Sequence, residues 1–327
     1  MLDTINQKKN ILILSAGRRV ELIESFQREV QTRRLSSRVL AADSRPNLSA
    51  ACQIADESIS LIQITEPSFV DALLNLCIEY EIGLVIPTID TGLTSLSRHR
   101  IQFYENGIHL IISDEGLVNS CRDKRKTSLI FSNLGIDTPK IYDKNSLTFP
   151  CFAKPYDGSR SLGASLLDSQ ESVTSSMLSD PKLMFMEFID ASHQEYTVDT
   201  YYDRSGQLTC LVPRQRLEVR DGEISKGVTR RHELYYYLKD KVDKVDGARG
   251  CLTWQIFFND KIKSYAAIEI NPRFGGGYPL SYAAGANYSG WLIDEYILGK
   301  QIDFFDDWEN NLMMLRYDAK VITHDFK

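Results

Sequence analysis

The feature that most constrains this chain is the alternation, over its first 120 residues, of short apolar runs with amphipathic stretches of helical period. That pattern specifies repeated βαβ units on a parallel sheet, whose strands are covered by helices on both faces and so read as continuous apolar segments. Ile11–Ser15 reads as a buried strand and Ala16-Gly17 as a turn. Val20, Leu22, Ile23, Phe26 and Val30 then recur at helical spacing. Val39–Ala42 is the next strand, with Asp43 just past its carboxyl end, where open α/β sheets bind ligands. Phe69–Tyr80 is helical, Leu84–Ile86 is a strand ending at Pro87-Thr88-Ile89-Asp90, and Ile108–Ile112 closes the unit. The expectation is an N-terminal doubly wound domain over residues 1–115.

From Asp114 the grammar changes. A long polar helix is predicted over Asn119–Leu134, closed by Gly135 and Pro139. Strand-like segments follow at Phe149–Lys154, Ala164–Leu167, Leu183–Ile189, Tyr196–Tyr202, Leu208–Pro213, Leu252–Phe258 and Ser264–Ile270. Leu234, Leu238, Val242 and Val245 support one more helix, Arg231–Val245. Strands with interspersed helices imply an α+β body over 116–327. With 327 residues, 43% hydrophobic and 25% charged, the chain has material for a large core.

The net charge of −6, with Lys and Arg scattered, excludes a broad nucleic-acid surface and leaves only local basic pockets. Apolar runs fall far short of the ~20 residues that cross a bilayer, and Met1–Asn10 lacks the core of a secretory signal, so a cytoplasmic protein with no membrane partner is expected. The six cysteines form no CxxC pair and the five histidines are dispersed, which supports neither a zinc site nor a nucleophile-base pair.

Three segments carry chemistry. In Phe149-Pro-Cys-Phe-Ala-Lys154-Pro-Tyr-Asp-Gly158-Ser159-Arg-Ser-Leu-Gly163 a strand delivers a lysine and then a Gly/Ser loop, a combination able to cradle phosphate oxygens or to form a plain hairpin turn. In Leu183-Met-Phe-Met-Glu187-Phe188-Ile189 through Glu195 a strand ends in a carboxylate and a second acid opens the next strand. These read as acceptors for a base and a sugar, or as solvated acids.

The third segment decides between these readings. Gln255 and Glu269 lie fourteen positions apart on two predicted antiparallel strands and can face each other, while Glu269 and Asn271 share a face of one strand. Gln, Glu and Asn oxygens on one face suit a hard cation such as Mg²⁺, and Arg273 on that same face suits a phosphoryl group.

These residues resemble those of the ATP-grasp ligases, in particular single-chain enzymes similar to one ATP-grasp half of the carbamoyl phosphate synthetase large subunit, including the ligase of pyrrolysine biosynthesis. The resemblance runs from Ser15-Ala-Gly-Arg-Arg19 through Ile86–Asp90, Asp123-Lys124 and Gly135–Pro139 to Glu269-Ile-Asn-Pro-Arg273. It implies a pre-ATP-grasp domain over 1–115 and an ATP-grasp domain over 116–327, with a small lid at about 123–185 and a larger part at about 186–327. It also implies ATP and Mg²⁺ as cofactors, with two ions and Mn²⁺ as a permitted substitute.

Lys124 and Lys154 would hold the phosphates under a loop that includes Gly158, Ser159 and Gly163. Glu187, Phe188 and Ile189 would recognise the adenine and Glu195 the ribose. Gln255, Glu269 and Asn271 would bind the metal, and Arg273 would face the transferred phosphoryl with Lys154. The implied reaction is carboxylate-amine ligation through an acyl phosphate, with release of ADP and phosphate. With one grasp unit, synthesis of carbamoyl phosphate by a full two-unit enzyme is not expected.

Arg18 with Arg19, Asp43, Asp90, Arg214, Arg216 and Lys226 are candidates for binding small, amino-acid-like substrates. A homodimer stays open. Two other function classes stay open as well: an ATP-binding regulatory or partner protein without ligase activity, and, more weakly because GxGxxG is missing, a dinucleotide-dependent oxidoreductase.

Overall fold

The computed structural model describes residues 9–158, 163–220 and 222–324. Its first sheet is parallel and five-stranded: β1 (Asn10–Leu14), β2 (Val39–Asp43), β3 (Glu57–Ser60), β4 (Ile82–Pro87) and β5 (His109–Leu110), in the spatial order β3-β2-β1-β4-β5. Every residue of β1 and β4 is buried, as their uninterrupted apolar sequences require of strands covered on both faces. The order reverses between β1 and β4, so the loops after these strands diverge and leave a crevice at their carboxyl ends. Arg18, Arg19 and Asp90 stand in those two loops.

A small four-stranded sheet follows, of β6 (Ile141–Tyr142), β7 (Cys151–Pro155), β8 (Ser165–Leu167) and β9 (Leu183–Glu187), ordered β6-β9-β7-β8. The third sheet holds β10 (Gln194–Tyr202), β11 (Leu208–Arg220), β12 (Glu223–Thr229), β13 (Gly250–Asn259), β14 (Ser264–Asn271) and β15 (Met313–Leu315), ordered β14-β13-β10-β11-β12-β15. Its pairings are antiparallel. Among the described residues no helix is long and apolar enough to cross a membrane.

Local physics accounts for the departures from the predicted elements. The single helix predicted over Asn119–Leu134 is two helices, Glu115–Cys121 and Lys124–Asn133. Asp123 breaks the run because its side chain accepts a hydrogen bond from Arg125 N and caps the second helix. Thr127 Oγ1 then reaches back to Ser120 O at 3.0 Å and locks the corner. The helix predicted over Arg231–Val245 spans only Glu233–Lys239, although Val242 and Val245 are buried in the turns that follow. β12 and the extension of β11 to Arg220 escape the apolar pattern, because the tip of this hairpin is polar and carries four exposed residues at the end of β11.

Two polar clusters organise the interior. Asp199, fully buried on β10, takes two 2.8 Å hydrogen bonds from Arg214 on β11, one from Ser281 Oγ at 2.7 Å and one from Thr253 Oγ1 at 3.2 Å. The candidate substrate arginine Arg214 is therefore committed to the core. The other cluster joins the parallel sheet to the rest of the chain. Glu29, on the helix Val20–Thr32, accepts hydrogen bonds from Tyr282 Oη at 2.6 Å, from Asn287 Nδ2 at 2.8 Å and from Arg33. Arg33 also holds Asp294.

Removing one member of a buried ion pair strands the other charge at a cost of roughly 3–5 kcal/mol. Asp199→Ala is therefore expected to lower unfolding stability by that amount in urea titrations, with Lys226→Ala leaving the midpoint in place. An Asp199→Ala midpoint equal to that of the parent protein would contradict the assignment.

Candidate functional site

Between the four-stranded and six-stranded sheets lies a cavity of about 300 Å³. Its walls are apolar: Phe152 of β7 and Met186 of β9 on one side, Phe257 of β13 and Ile268 of β14 on the other. The cavity brings together Lys124, Lys154, Gly158, Glu187, Phe188, Ile189, Glu195, Gln255 and Glu269, residues spread over nearly half of the sequence. β9 ends at Glu187, and beyond it the backbone N–H and C=O groups of Phe188 and Ile189 make no hydrogen bond among the described residues. An unpaired peptide edge between apolar walls is what a flat heterocycle with ring nitrogens and an amino group can complete.

The basic end is built by Lys124 and Lys154. Lys124 opens the helix Lys124–Asn133; its amide donates to Tyr156 O at 3.0 Å and its Nζ to Gly158 O at 2.5 Å, which ties the glycine loop to that helix. Lys154 projects from β7. Burial, reinforced by the charge of Lys124 and partly offset by Glu269, pushes its ammonium down to about 8. Gly163 has φ +70° and sits against the Pro155 ring, outside the cavity lining, and Ser159 lies outside the described residues.

The acidic end is set by sheet register. Gln255 pairs directly with Glu269 across the β13–β14 ladder, and Thr253 with Asn271, so all four share one face. Gln255 Nε2 donates to Glu195 Oε1, which leaves the Gln255 carbonyl oxygen as the acceptor facing Glu269. Glu195 is in turn gripped by Arg216 Nη1 at 2.6 Å, while Arg216 Nη2 donates to Gly222 O at 3.0 Å. This corrects the reading of Arg216 as a substrate ligand: its guanidinium positions Glu195.

Asn271 and Asp90 meet with Glu269, Lys124 and Gly158 in a narrow cleft that continues from the cavity. Arg273 donates to Asp90 Oδ2 through Nη2 at 2.7 Å and Nε at 3.2 Å, and to Asn271 Oδ1 at 3.3 Å. Asp90 is thus occupied by Arg273 and not free for an ammonium group. Lys226 stands apart, half-exposed and bound to Glu218 at 2.5 Å, and Asp43 caps the turn at Gly17, whose N–H donates to it at 3.1 Å. Arg18 opens on a second, larger cavity, about 690 Å³, together with Arg19, Glu223 and Arg316. Glu223 and Arg316 were not singled out in the sequence; the β12–β15 pairing brings their segments together.

Comparisons with known proteins bear on the family and the fold. Residues 11–111 match the family described as "PylC-like, N-terminal domain" and residues 179–314 the family "ATP-grasp in the biosynthetic pathway with Ter operon". The chain thus joins a PylC-like N-terminal domain to an ATP-grasp domain. A search of curated protein sequences finds no match.

Among solved structures, the biotin carboxylase domain of the Hydrogenobacter thermophilus 2-oxoglutarate carboxylase, in complex with MgADP and bicarbonate, superposes with a TM-score of 0.73 at 15% identity, over 93% of this chain and 73% of its own. The ADP complex of N5-carboxyaminoimidazole synthetase from Staphylococcus aureus gives 0.69 at 14% identity, over 95% and 82%. Biotin carboxylase from Campylobacter jejuni gives 0.72 at 15%, over 93% and 74%. At these identities the likeness is one of fold, shared with the biotin carboxylases and N5-carboxyaminoimidazole synthetase.

The electrostatics of the lysine pair are testable. The folded protein disfavours charged Lys154 relative to an unfolded chain with its ordinary value near ~10.4. That penalty is fully present below pH ~8 and is relieved as pH rises from there towards ~10.4. NMR of ¹³Cε-labelled lysine is expected to show one lysine titrating near 8, moving upward in Lys124→Met and downward in Glu269→Gln. Titration of every lysine above pH 10 would refute the burial of Lys154.

Proposed function

We propose that this chain is an ATP-dependent ligase that activates a carboxylate as an acyl phosphate and joins it to an amine, with the 300 Å³ cavity as its nucleotide site. The observation that carries the reading is the unpaired Phe188–Ile189 edge between apolar walls, with Lys124 and Lys154 at one end and the Gln255–Glu269 pair beyond them. The peptide edge takes the adenine, Glu195, aimed by Arg216, takes the ribose hydroxyls, and the two lysines with the Gly158 loop hold the phosphates. The reading divides the chain into a pre-ATP-grasp part over 1–115, a lid at about 123–185 and a body at about 186–327.

The donors fit Mg²⁺: Glu269 brings one carboxylate, and Gln255 and Asn271 bring neutral oxygens, a sparse set suited to an ion that keeps waters and phosphate oxygens. When bound, Mg²⁺ supplies charge neutralisation at the transferred phosphoryl.

Arg273 lies two residues beyond Asn271 at the junction with the parallel sheet, where its charge, held in place by Asp90, offsets that of the acyl phosphate. Phosphoryl transfer of this kind needs positioning and positive charge and no protein nucleophile. The cysteines of the chain are buried or partly buried, and burial pushes the thiols of Cys77 and Cys210 up to about 12. The amine then attacks the acyl carbon and inorganic phosphate leaves.

The test is ADP and phosphate release by purified protein with MgATP and a panel of carboxylate and amine pairs. A productive pair is expected to give release that depends on both substrates and drops by roughly 100-fold or more in Glu269→Gln, the equivalent of the several kcal/mol a bound metal contributes. MgADP binding with no turnover on any pair would remove the ligase and leave a nucleotide-binding protein.

A further inference from the structure

The larger cavity is not accounted for by nucleotide chemistry. It lies between the start of the helix Val20–Thr32, the β11–β12 hairpin, the Gly275-Gly276-Gly277 loop and the segment after β15. Its volume of about 690 Å³ is well within the range of small-molecule sites.

Three arginines converge in it on a single carboxylate. Glu223 stands 3.1 Å from Arg316 Nη1, 3.3 Å from Arg18 Nη2 and 4.0 Å from Arg19 Nη2. Three of the positive charges in the cavity lining thus face the Glu223 carboxylate; Arg220, Lys320, Glu24 and Asp318 also line the cavity, and Glu21 is a distant and exposed second partner of Arg316 at 4.0 Å. Arg19 is the least satisfied. Its side chain is 17% exposed, its guanidinium makes no hydrogen bond among the described residues, and Glu223 at 4.0 Å is its one ion-pair partner there. A largely buried guanidinium with free donors is costly unless an anion completes it, and its fork matches a carboxylate or phosphate. Burial, together with the nearby charge of Arg273, pushes Arg19 down to about 10.

The cavity is also continuous with the proposed chemistry. Arg273 is followed directly by the glycine loop that lines the cavity floor, and Arg316 Nη2 donates to Gly276 O of that loop. The glycines are needed there because of close approach: a Cβ on Gly276 would meet the Glu223 carboxylate at 2.7 Å, and one on Gly277 would meet Arg214 Nη1 at 2.0 Å.

We propose that this cavity binds the carboxylate substrate, that the substrate carries a second anionic group, carboxylate or phosphate, taken by Arg18, Arg19 and Arg316, and that Glu223 occupies this cage as an internal stand-in which the substrate displaces. The proposal rests on the ligase reading and names its substrate class: an acid with a remote anion, not a neutral-tailed amino acid. Glu223 opens β12 at the end of the β11–β12 pairing, opposite Arg220.

Calorimetric titration of the full chain in saturating MgADP tests it, with glutarate and inorganic phosphate as probes and acetate as the single-charge control. Removing the internal competitor in Glu223→Gln is expected to tighten binding of glutarate, phosphate or both by at least ~tenfold. Arg19→Gln and Arg316→Gln are each expected to weaken it by at least ~tenfold, the cost of one charge-assisted hydrogen bond. Arg38→Gln, an exposed charge on Glu57, leaves binding unchanged.

A response to glutarate alone assigns a dicarboxylic substrate, and one to phosphate alone a phosphorylated acid. Binding no tighter in Glu223→Gln than in the parent protein, or unaltered in both arginine variants, overturns the proposal. A parallel MgADP titration separates the two readings: ADP binding with no anion response removes only this subsite, whereas an anion response without ADP binding removes the nucleotide site.

Discussion

The ion pair between Asp90 and Arg273 is the constraint on which the rest of the site depends. Asp90 stands in the loop after β4 at the point where the parallel sheet reverses its order, and Arg273 lies two residues beyond β14 of the six-stranded sheet. Burial opposes the guanidinium, but Asp90 and Glu269 hold it charged, above the ordinary arginine value. A pair this enclosed holds its geometry because each charge is intolerable without the other. It fixes Asn271 and hence Glu269 at the inner end of the nucleotide cavity, and sets Arg273 beside Arg19 at the entrance to the arginine-lined one. Asp90 lines the narrow cleft beside the nucleotide cavity, and Arg273 leads into the glycine loop that lines the arginine-rich one.

The six-stranded sheet uses one motif twice. Glu195 and Asp199 lie on one face of β10, and Arg214 and Arg216 on the same face of β11. The Arg214–Asp199 pair is sealed beneath the Ser281 helix and only holds the core together. The Arg216–Glu195 pair, an Arg and an acid of the same period, opens onto the cavity, where the carboxylate keeps contact with Gln255. What separates a packing device from a binding device is what covers the face: helix in one case, empty volume in the other.

Much of this was legible in the sequence. The parallel sheet follows from continuous apolar runs separated by amphipathic helices, and the facing of Gln255 and Glu269 was expected from the hairpin, although in the structure a register shift between Gln255 and Ile256 brings it about. Lys154 and the Glu187–Ile189 segment were also named by pattern and Lys124 by the family resemblance, and the fold brings them into one cavity. The partners of charges were not legible. Whether Arg216, Asp90 or Arg214 is free for a ligand depends on Glu195, Arg273 and Asp199, each brought in by tertiary register that no local spacing encodes. Glu223 opens β12 and Arg316 follows the short strand β15, and the pairing of these strands is set by distant segments, so their convergence has no one-dimensional signature.

The central claim, that the cavity between the two antiparallel sheets is a nucleotide site, is tested most directly by a crystal structure of the protein grown with MgADP. The account predicts the adenine against the Phe188–Ile189 backbone, the ribose at Glu195, the phosphates on Lys124 and Lys154 and the metal at Glu269. Nucleotide seated instead among Arg18, Arg19 and Arg316, or a cavity that stays empty at saturating MgADP, would contradict it.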